Sequence, residues 1–178
     1  MSRRGFLPLR VSLLAAAALL AGCGFHLRGE IPGTPESKTF FISGLPANDA
    51  FYGDFRRVLG YSGGKITEKP AKAAALVNFF IARHERRPIT LSRQGRANMF
   101  ELTFRVVYQI LTPKGDVLLP QNEMIIRRDY FNNQVSPLGQ VQEESMMREE
   151  MEKEAALALL RRVVYALKNK QPEPAAKS

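Results

Sequence analysis

Residues 98–111 read NMFELTFRVVYQIL, and this stretch decides the fold. Phe100, Leu102, Phe104, Val106, Tyr108 and Ile110 fall at every second position, with Glu101, Thr103, Arg105 and Gln109 between them. An extended strand turns successive side chains to opposite faces, so one face here is core and the other is wet. Pro113, Lys114, Gly115 and Asp116 then form a turn. Residues 117–131 return with Met124, Ile126, Arg128 and Tyr130 alternating against Ile125, Arg127, Asp129 and Phe131. The expectation is a long β-hairpin.

Working upstream, residues 76–84 are rich in β-formers and read as a strand, and residues 39–42 as a shorter one. Between them residues 49–59 carry Phe51, Phe55, Val58 and Leu59 at helical spacing ahead of Gly60, a suitable residue to end a helix. Downstream, Ser136 and Pro137 suit an N-cap and first helical position, and no other proline interrupts residues 138–168. Met147, Met151, Ala155, Leu159, Val163 and Leu167 step by four, with Ala156, Leu160 and Val164 beside them. This apolar stripe opposes Arg148, Glu152 and Arg162, so a long helix should lie on the sheet with those three facing water. One early helix, one late helix and grouped strands predict a two-layer α+β sandwich over residues 38–170 rather than alternating βαβ units. No internal repeat is visible.

The first 22 residues set the compartment. Arg3, Arg4 and Arg10 precede an apolar run from Val11 to Ala21, the pattern of a cleaved secretory signal peptide. The run is about half of the ~20 residues that a membrane-spanning helix requires. It ends Leu20-Ala21-Gly22-Cys23, which resembles the bacterial lipobox, and Cys23 is the only cysteine of the chain. That resemblance implies an S-diacylglycerol thioether on Cys23, cleavage before it and N-acylation of the freed amine. Three acyl chains such as palmitate hold a protein on a membrane where one does not. Gly24, rather than Asp, follows the cysteine and implies sorting to the outer membrane. Residues 23–37, with Gly24, Gly29, Pro32, Gly33 and Pro35, read as a tether, and residues 171–178, with Pro172 and Pro174, as a disordered tail.

Composition narrows the chemistry. The chain has 178 residues, 45% apolar and 24% charged, enough for one folded core. Lys plus Arg number 26 against 17 Asp plus Glu, a net +9. Losing residues 1–22 removes three Arg and no acid, leaving 23 against 17, or +6. One cysteine excludes a disulfide framework and any multi-cysteine metal site. Of the two histidines, His26 follows the lipid cysteine closely and His84 ends a strand, so no metal site is expected and both should be structural or exposed. No nucleophile elbow, phosphate loop or dinucleotide fingerprint occurs, so neither catalytic residues nor a cofactor is expected. Glycoside chemistry would need a carboxylate pair. Glu143, Glu144, Glu149, Glu150, Glu152 and Glu154 crowd one helix and read instead as its solvated face.

The basic residues are more telling. Arg83, Arg86, Arg87, Arg93 and Arg96 fall within fourteen residues with only Glu85 opposing, which makes the connection between two strands cationic. Arg127 and Arg128 on the neighbouring strand can add to it. Two readings stand: an anion-binding surface, since Arg forks match phosphate oxygens, and a charged edge that deters strand aggregation.

The segment Cys23-Gly24-Phe25-His26-Leu27-Arg28-Gly29 resembles the start of the mature LptE family, the lipopolysaccharide-assembly lipoproteins of the Gram-negative outer membrane. The likeness continues through Arg93-Gln94-Gly95-Arg96, the Pro113 turn, Arg128-Asp129-Tyr130-Phe131-Asn132-Asn133 and the Met-rich acidic helix. It implies two helices on a four-stranded, mostly antiparallel sheet. It further implies a non-enzymatic plug inside the LptD β-barrel that helps assemble the barrel and place lipopolysaccharide in the outer leaflet. The partners it implies are LptD, lipopolysaccharide and the outer membrane, reached from the periplasmic side through Cys23, with no nucleic acid. Arg93 and Arg96 become the candidates for lipopolysaccharide phosphates. The 134–140 segment departs from relatives with a basic residue there, having Gln134 and Gln140 instead. The alternative is a free-standing outer-membrane lipoprotein that binds or processes cell-wall glycan.

Overall fold

The computed structural model of the chain describes residues 38–131 and 137–170. The expected signal peptide, Cys23 and its tether, His26, Gln134, the Ser136 cap and the tail after 170 lie outside the described residues. Strand β1 (Thr39–Ser43) leads to helix α1 (Ala50–Tyr61), a two-residue strand β2 (Lys65–Ile66) and a 3-10 turn (Pro70–Lys72). The long strands β3 (Ala75–Leu91), β4 (Ala97–Leu111) and β5 (Val117–Phe131) follow, then helix α2 (Pro137–Lys170).

The sheet order is β2-β1-β3-β4-β5. Strands β2 and β3 run parallel to β1, and β4 and β5 continue antiparallel. Among the described residues the α+β class with two helices stands, and the expected four-stranded, mostly antiparallel sheet is instead a five-stranded mixed one. The extra strand pairs only Lys65 and Ile66 with Thr39 and Phe40, too short a run to carry any periodicity.

Alternation builds the core as read. Leu102, Phe104, Val106, Tyr108 and Ile110 of β4 are buried, joined by Val77 and Phe79 of β3 and by Met124 and Ile126 of β5. Helix α1 starts where the Asp49 side chain accepts a hydrogen bond from the Tyr52 amide at 3.1 Å, satisfying one of the amides a helix start leaves open. It buries Phe51, Phe55 and Leu59, and the Phe51 ring sits edge-on to Phe79 and Phe104, at 5.7 and 5.1 Å. Helix α2 buries Met151, Ala155, Ala156, Leu159, Leu160 and Val163, the middle of the predicted stripe. None of residues 139–150 is fully buried. At ~1.5 Å per residue this helix is about 50 Å long, close to the ~50 Å that the fifteen residues of β4 span. No helix among the described residues is long and apolar enough to cross a membrane.

Strand β3 runs to Leu91, seven residues past the expected end at His84 and through Pro88. Prolines belong on strand edges and at bulges, and β3 supplies both. β1 stops opposite Asn78, so the rest of β3 has a strand on one side only, and the register shifts between Pro88 and Thr90. Arg86 and Arg87, expected in the connection, are therefore strand residues, and Arg93 and Arg96 stand in the turn.

Gly44 ends β1 at φ +83°, and a Cβ there would lie 1.8 Å from the Phe79 carbonyl oxygen. Gly53 lies inside α1 with nothing within 4 Å of the corresponding position. Gly44→Ala should cost about 3 kcal/mol through strain and a displaced β1–β3 pairing, while Gly53→Ala should gain about 0.5–1 kcal/mol of helix propensity. Thermal unfolding of both variants against the parent checks the opposite signs.

Candidate functional site

The β3–β4 turn is built by its own sequence, Ser92-Arg93-Gln94-Gly95-Arg96. The Ser92 amide donates to the Arg96 carbonyl at 2.7 Å, and the Gly95 amide to the Ser92 carbonyl at 3.0 Å. The Ser92 hydroxyl accepts from the amides of Gln94 and Arg96 at 3.3 and 3.2 Å, and Gly95 supplies the positive φ of +73° that the turn requires. The β4–β5 turn repeats the device with Thr112 and Gly115. Arg93 and Arg96 are thus presented from a defined turn, both exposed.

Within the arginine cluster, Arg83, Arg86 and Arg87 each meet a carboxylate. Arg83 meets Glu85 at 2.7 Å, Arg86 meets Glu144 at 3.0 Å, and Arg87 meets Glu101 at 2.7 Å. Arg86 also lies 4.1 Å over the Phe100 ring. The hydrogen bond from Arg87 is the main cause holding the Glu101 carboxyl below the usual carboxylate range. Arg128 is matched by Glu154 at 2.6 Å. Arg93 has no carboxylate partner among the described residues.

Leu91 and Phe131, 63% and 65% exposed, stand at this same end of the sheet, with Ile89 behind them. An apolar rim beside exposed guanidinium groups suits a ligand that joins acidic groups to hydrocarbon. Sequence reading named the cations and missed this rim, because Leu91 lay beyond the expected strand and Phe131 shared the alternation of a wet face. Chain topology places the tip far from the start of the domain. Phe40 pairs with Ala75 and Leu76 with Leu111, so the chain enters at one end of β4 and the arginines stand at the other, roughly 50 Å away.

Two polar knots fasten this end of the hairpin to α2. Glu144 accepts from Arg86, from Arg148 at 2.6 Å, and from the Tyr130 hydroxyl. Glu152 lies 2.7 Å from His84 Nε2, both side chains 12% exposed, and the His84 ring stacks on Phe104 at 4.4 Å. The His84 Nδ1 is buried without a hydrogen-bond partner. Two glutamates read as solvated therefore face the sheet, because β3 carries His84 and Arg86 on its helix-covered face. Arg162, likewise placed on the wet side, donates to the hydroxyl of buried Tyr108 at 2.9 Å. Glu143, Glu149, Glu150 and Glu154 are exposed as expected.

The sequence model of a family described as LptE, lipopolysaccharide-assembly, matches residues 37–163. The LPS-assembly lipoprotein LptE of Yersinia enterocolitica is 29% identical over 165 residues, 89% of this chain and 79% of that protein. Its counterpart in Photorhabdus laumondii is 26% identical over 153 residues, 85% of this chain and 83% of that protein. The solution structure of lipoprotein B from Nitrosomonas europaea superposes with a TM-score of 0.64 at 26% identity, covering 85% of this chain and 99% of that one. The crystal structure of rare lipoprotein B from Shewanella oneidensis gives 0.65 at 20% identity, covering 75% and 99%, and speaks for the fold.

Burial, with the hydrogen bond to Glu144, pushes the Tyr130 phenol up to about 12. Burial also raises the Glu144 carboxyl, but its bonds from Tyr130 and Arg148 and the charges of Arg148 and Arg86 outweigh it and hold that carboxyl below the usual range. A phenol raised in the folded state stabilises fully below its unfolded value of ~10 and loses that stability as pH climbs toward 12. A carboxyl lowered in the folded state stabilises above the usual carboxylate range and loses this as pH falls through its lowered value. Glu144→Gln should therefore cost about 1–3 kcal/mol at neutral pH, with the difference shrinking in acid. Tyr130→Phe should flatten the decline between pH 10 and 12. Denaturant midpoints against pH test both.

Proposed function

We propose that this chain, which belongs to the LptE family of lipopolysaccharide-assembly proteins, is the non-enzymatic lipoprotein that plugs the LptD β-barrel, helps assemble it and assists lipopolysaccharide insertion into the outer leaflet. The observation that carries this reading is the family match over residues 37–163, which takes in nearly all of the folded domain. The relatives named LPS-assembly lipoproteins agree with it over more than four fifths of the chain.

In this reading residues 1–22 are removed, Cys23 carries the diacylglyceryl thioether and the N-acyl chain, and residues 23–37 tether the domain 38–170 to the periplasmic face of the outer membrane. Residues 171–178 form a free tail. The open face of the sheet, with Glu101, Thr103, Arg105 and Arg127 interleaved, meets the barrel wall, whose interior is polar where barrels are wide. The tip then lies at the end of the plug farther from the tether. Arg93 and Arg96 engage the phosphates of lipopolysaccharide there, and Leu91 and Phe131 meet its apolar part. An isolated domain that bound glycan would need neither a tether at one end nor a cationic tip at the other.

The tagged full-length lipoprotein, extracted from its native envelope in mild detergent, should bring one large β-barrel with it in about equal amount. Recovery of peptidoglycan fragments without a barrel would favour a glycan-binding lipoprotein instead. The Arg93→Glu and Arg96→Glu double variant should still bring the barrel but bind purified lipopolysaccharide at least about tenfold more weakly. Unchanged binding would remove direct contact at the tip and leave the plug role intact. Mass spectrometry of the amino-terminal peptide checks the lipid on Cys23.

A further inference from the structure

At the end of the domain opposite the arginine tip, the first residues of β5 and the last turns of α2 enclose an open cleft of about 640 Å³. This lies within the ~300–1,000 Å³ of ordinary small-molecule sites. Val117, Leu119 and Ala166 give it apolar walls, and Tyr165, 67% exposed, stands at its side. Its one charged group is Arg162. The Arg162 Nη1 donates to Tyr108 Oη at 2.9 Å and to Asn122 Oδ1 at 3.0 Å.

Both acceptors are neutral, and Tyr108 is completely buried, so the guanidinium is fixed in place without its charge being cancelled. No carboxylate among the described residues lies within ion-pair distance of Arg162, although Arg83, Arg86, Arg87, Arg105, Arg128 and Arg148 each have one. Residues 155–170 contain no Asp or Glu and carry Arg161, Arg162, Lys168 and Lys170. Asp116, the one acid of the nearby turn, accepts from Thr112 Oγ1 at 3.1 Å.

We propose that this cleft binds one anionic phospholipid, with an acyl chain against Val117, Leu119 and Ala166 and the phosphodiester on Arg162. A fixed guanidinium fork matches phosphate oxygens, and its attraction is strongest beside apolar walls that exclude water. A peptide strand added to the outer edge of β5 fits the place less well. Pro120 offers no amide there, and the register shifts between the Tyr108 and Ile110 pairs beside it. The chain enters the domain at this same end, since Phe40 pairs with Ala75 and Leu76 with Leu111. Cys23 lies fifteen residues ahead of Lys38. The inference rests on the membrane anchoring proposed above, which would bring the inner-leaflet surface to the cleft.

The chain has no tryptophan, so Tyr165→Trp is a single reporter. The full-length protein in mild non-ionic detergent is titrated with lysophosphatidylglycerol carrying a brominated acyl chain, which quenches indole on contact. Saturable quenching is expected. Arg162→Gln should weaken it at least about tenfold, and so should Val117→Asp, an exposed position where added negative charge repels the lipid without disturbing the Arg162–Tyr108 contact. Arg161→Gln should leave it within about twofold, and an uncharged brominated monoacylglycerol should bind at least about tenfold more weakly. Absent quenching, quenching unmoved by both weakening variants, or equal binding of the uncharged lipid would overturn the proposal. Quenching that appears only after deletion of residues 171–178 would overturn it too, since the chain's own tail would then fill the cleft. The lipid is supplied in trans, so an unacylated Cys23 would refute the anchoring while the titration still judged the cleft.

Discussion

The burial of one face of β4 is the constraint on which the rest of the domain depends. Phe104 concentrates it: its ring meets Phe51 of α1 at 5.1 Å and the His84 ring of β3 at 4.4 Å, while its own strand is paired on both sides. Burying side chains of this size is worth roughly 1.5–3 kcal/mol each, more than any surface ion pair on the molecule offers. Because the period of a strand is two, a slip of one residue in β4 would turn Leu102, Phe104, Val106 and Tyr108 outward together. Register, helix placement and the position of both turns therefore follow from that one face.

Toward the far end of the hairpin the core narrows to Phe100 and Tyr130, and polar contacts join it there. α2 is nearly as long as β4, yet its fully buried residues begin at Met151. From there toward the tip, Glu152 and Glu144 hold the hairpin through His84, Arg86 and Tyr130. Charged groups in such partly dry places cost desolvation, which hydrogen bonds offset only while the partners remain complete. The advantage is geometric. A hairpin carried by hydrocarbon alone would need a continuous apolar face out to the tip, where cations and solvent are required.

How much of this was legible in the sequence follows from the strength of each signal. The alternation in β4 and β5 and the four-residue stepping of α2 are long, regular signals, and the structure repeats them. β2 was unreadable because two residues carry no period. A local reading ends β3 early because Arg86, Arg87 and Pro88 look like a loop when neighbours are unknown, whereas a strand with one free edge tolerates all three. Helical periodicity assigns Glu144, Glu152 and Arg162 to water because it marks a face without marking what lies opposite it. Nothing local to α2 announces that His84, Arg86 or Tyr108 awaits across the sheet. Composition and family likeness point to the tip arginines, whereas the apolar residues beside them depend on β3 and β5 ending together, which no local pattern encodes.

The pairing pattern also changes the meaning of the net charge. A basic chain suggests a broad attraction to polyanions, but along the sheet the cations are interleaved with acids. Arg83, Arg87, Arg105 and Arg127 share the open face with Glu85, Glu101, Glu123 and Asp129, so the field there is short-ranged and largely self-cancelling. Such a face meets a mixed polar wall without demanding a polyanion. Among the described residues, Arg93 on the turn and Arg162 in the cleft, near opposite ends of the sheet, each lack a facing carboxylate. Apolar side chains accompany both. A sheet whose middle is self-cancelling in charge and whose ends are cationic and partly apolar is suited to contacts at those ends, where acidic groups and hydrocarbon occur in one molecule.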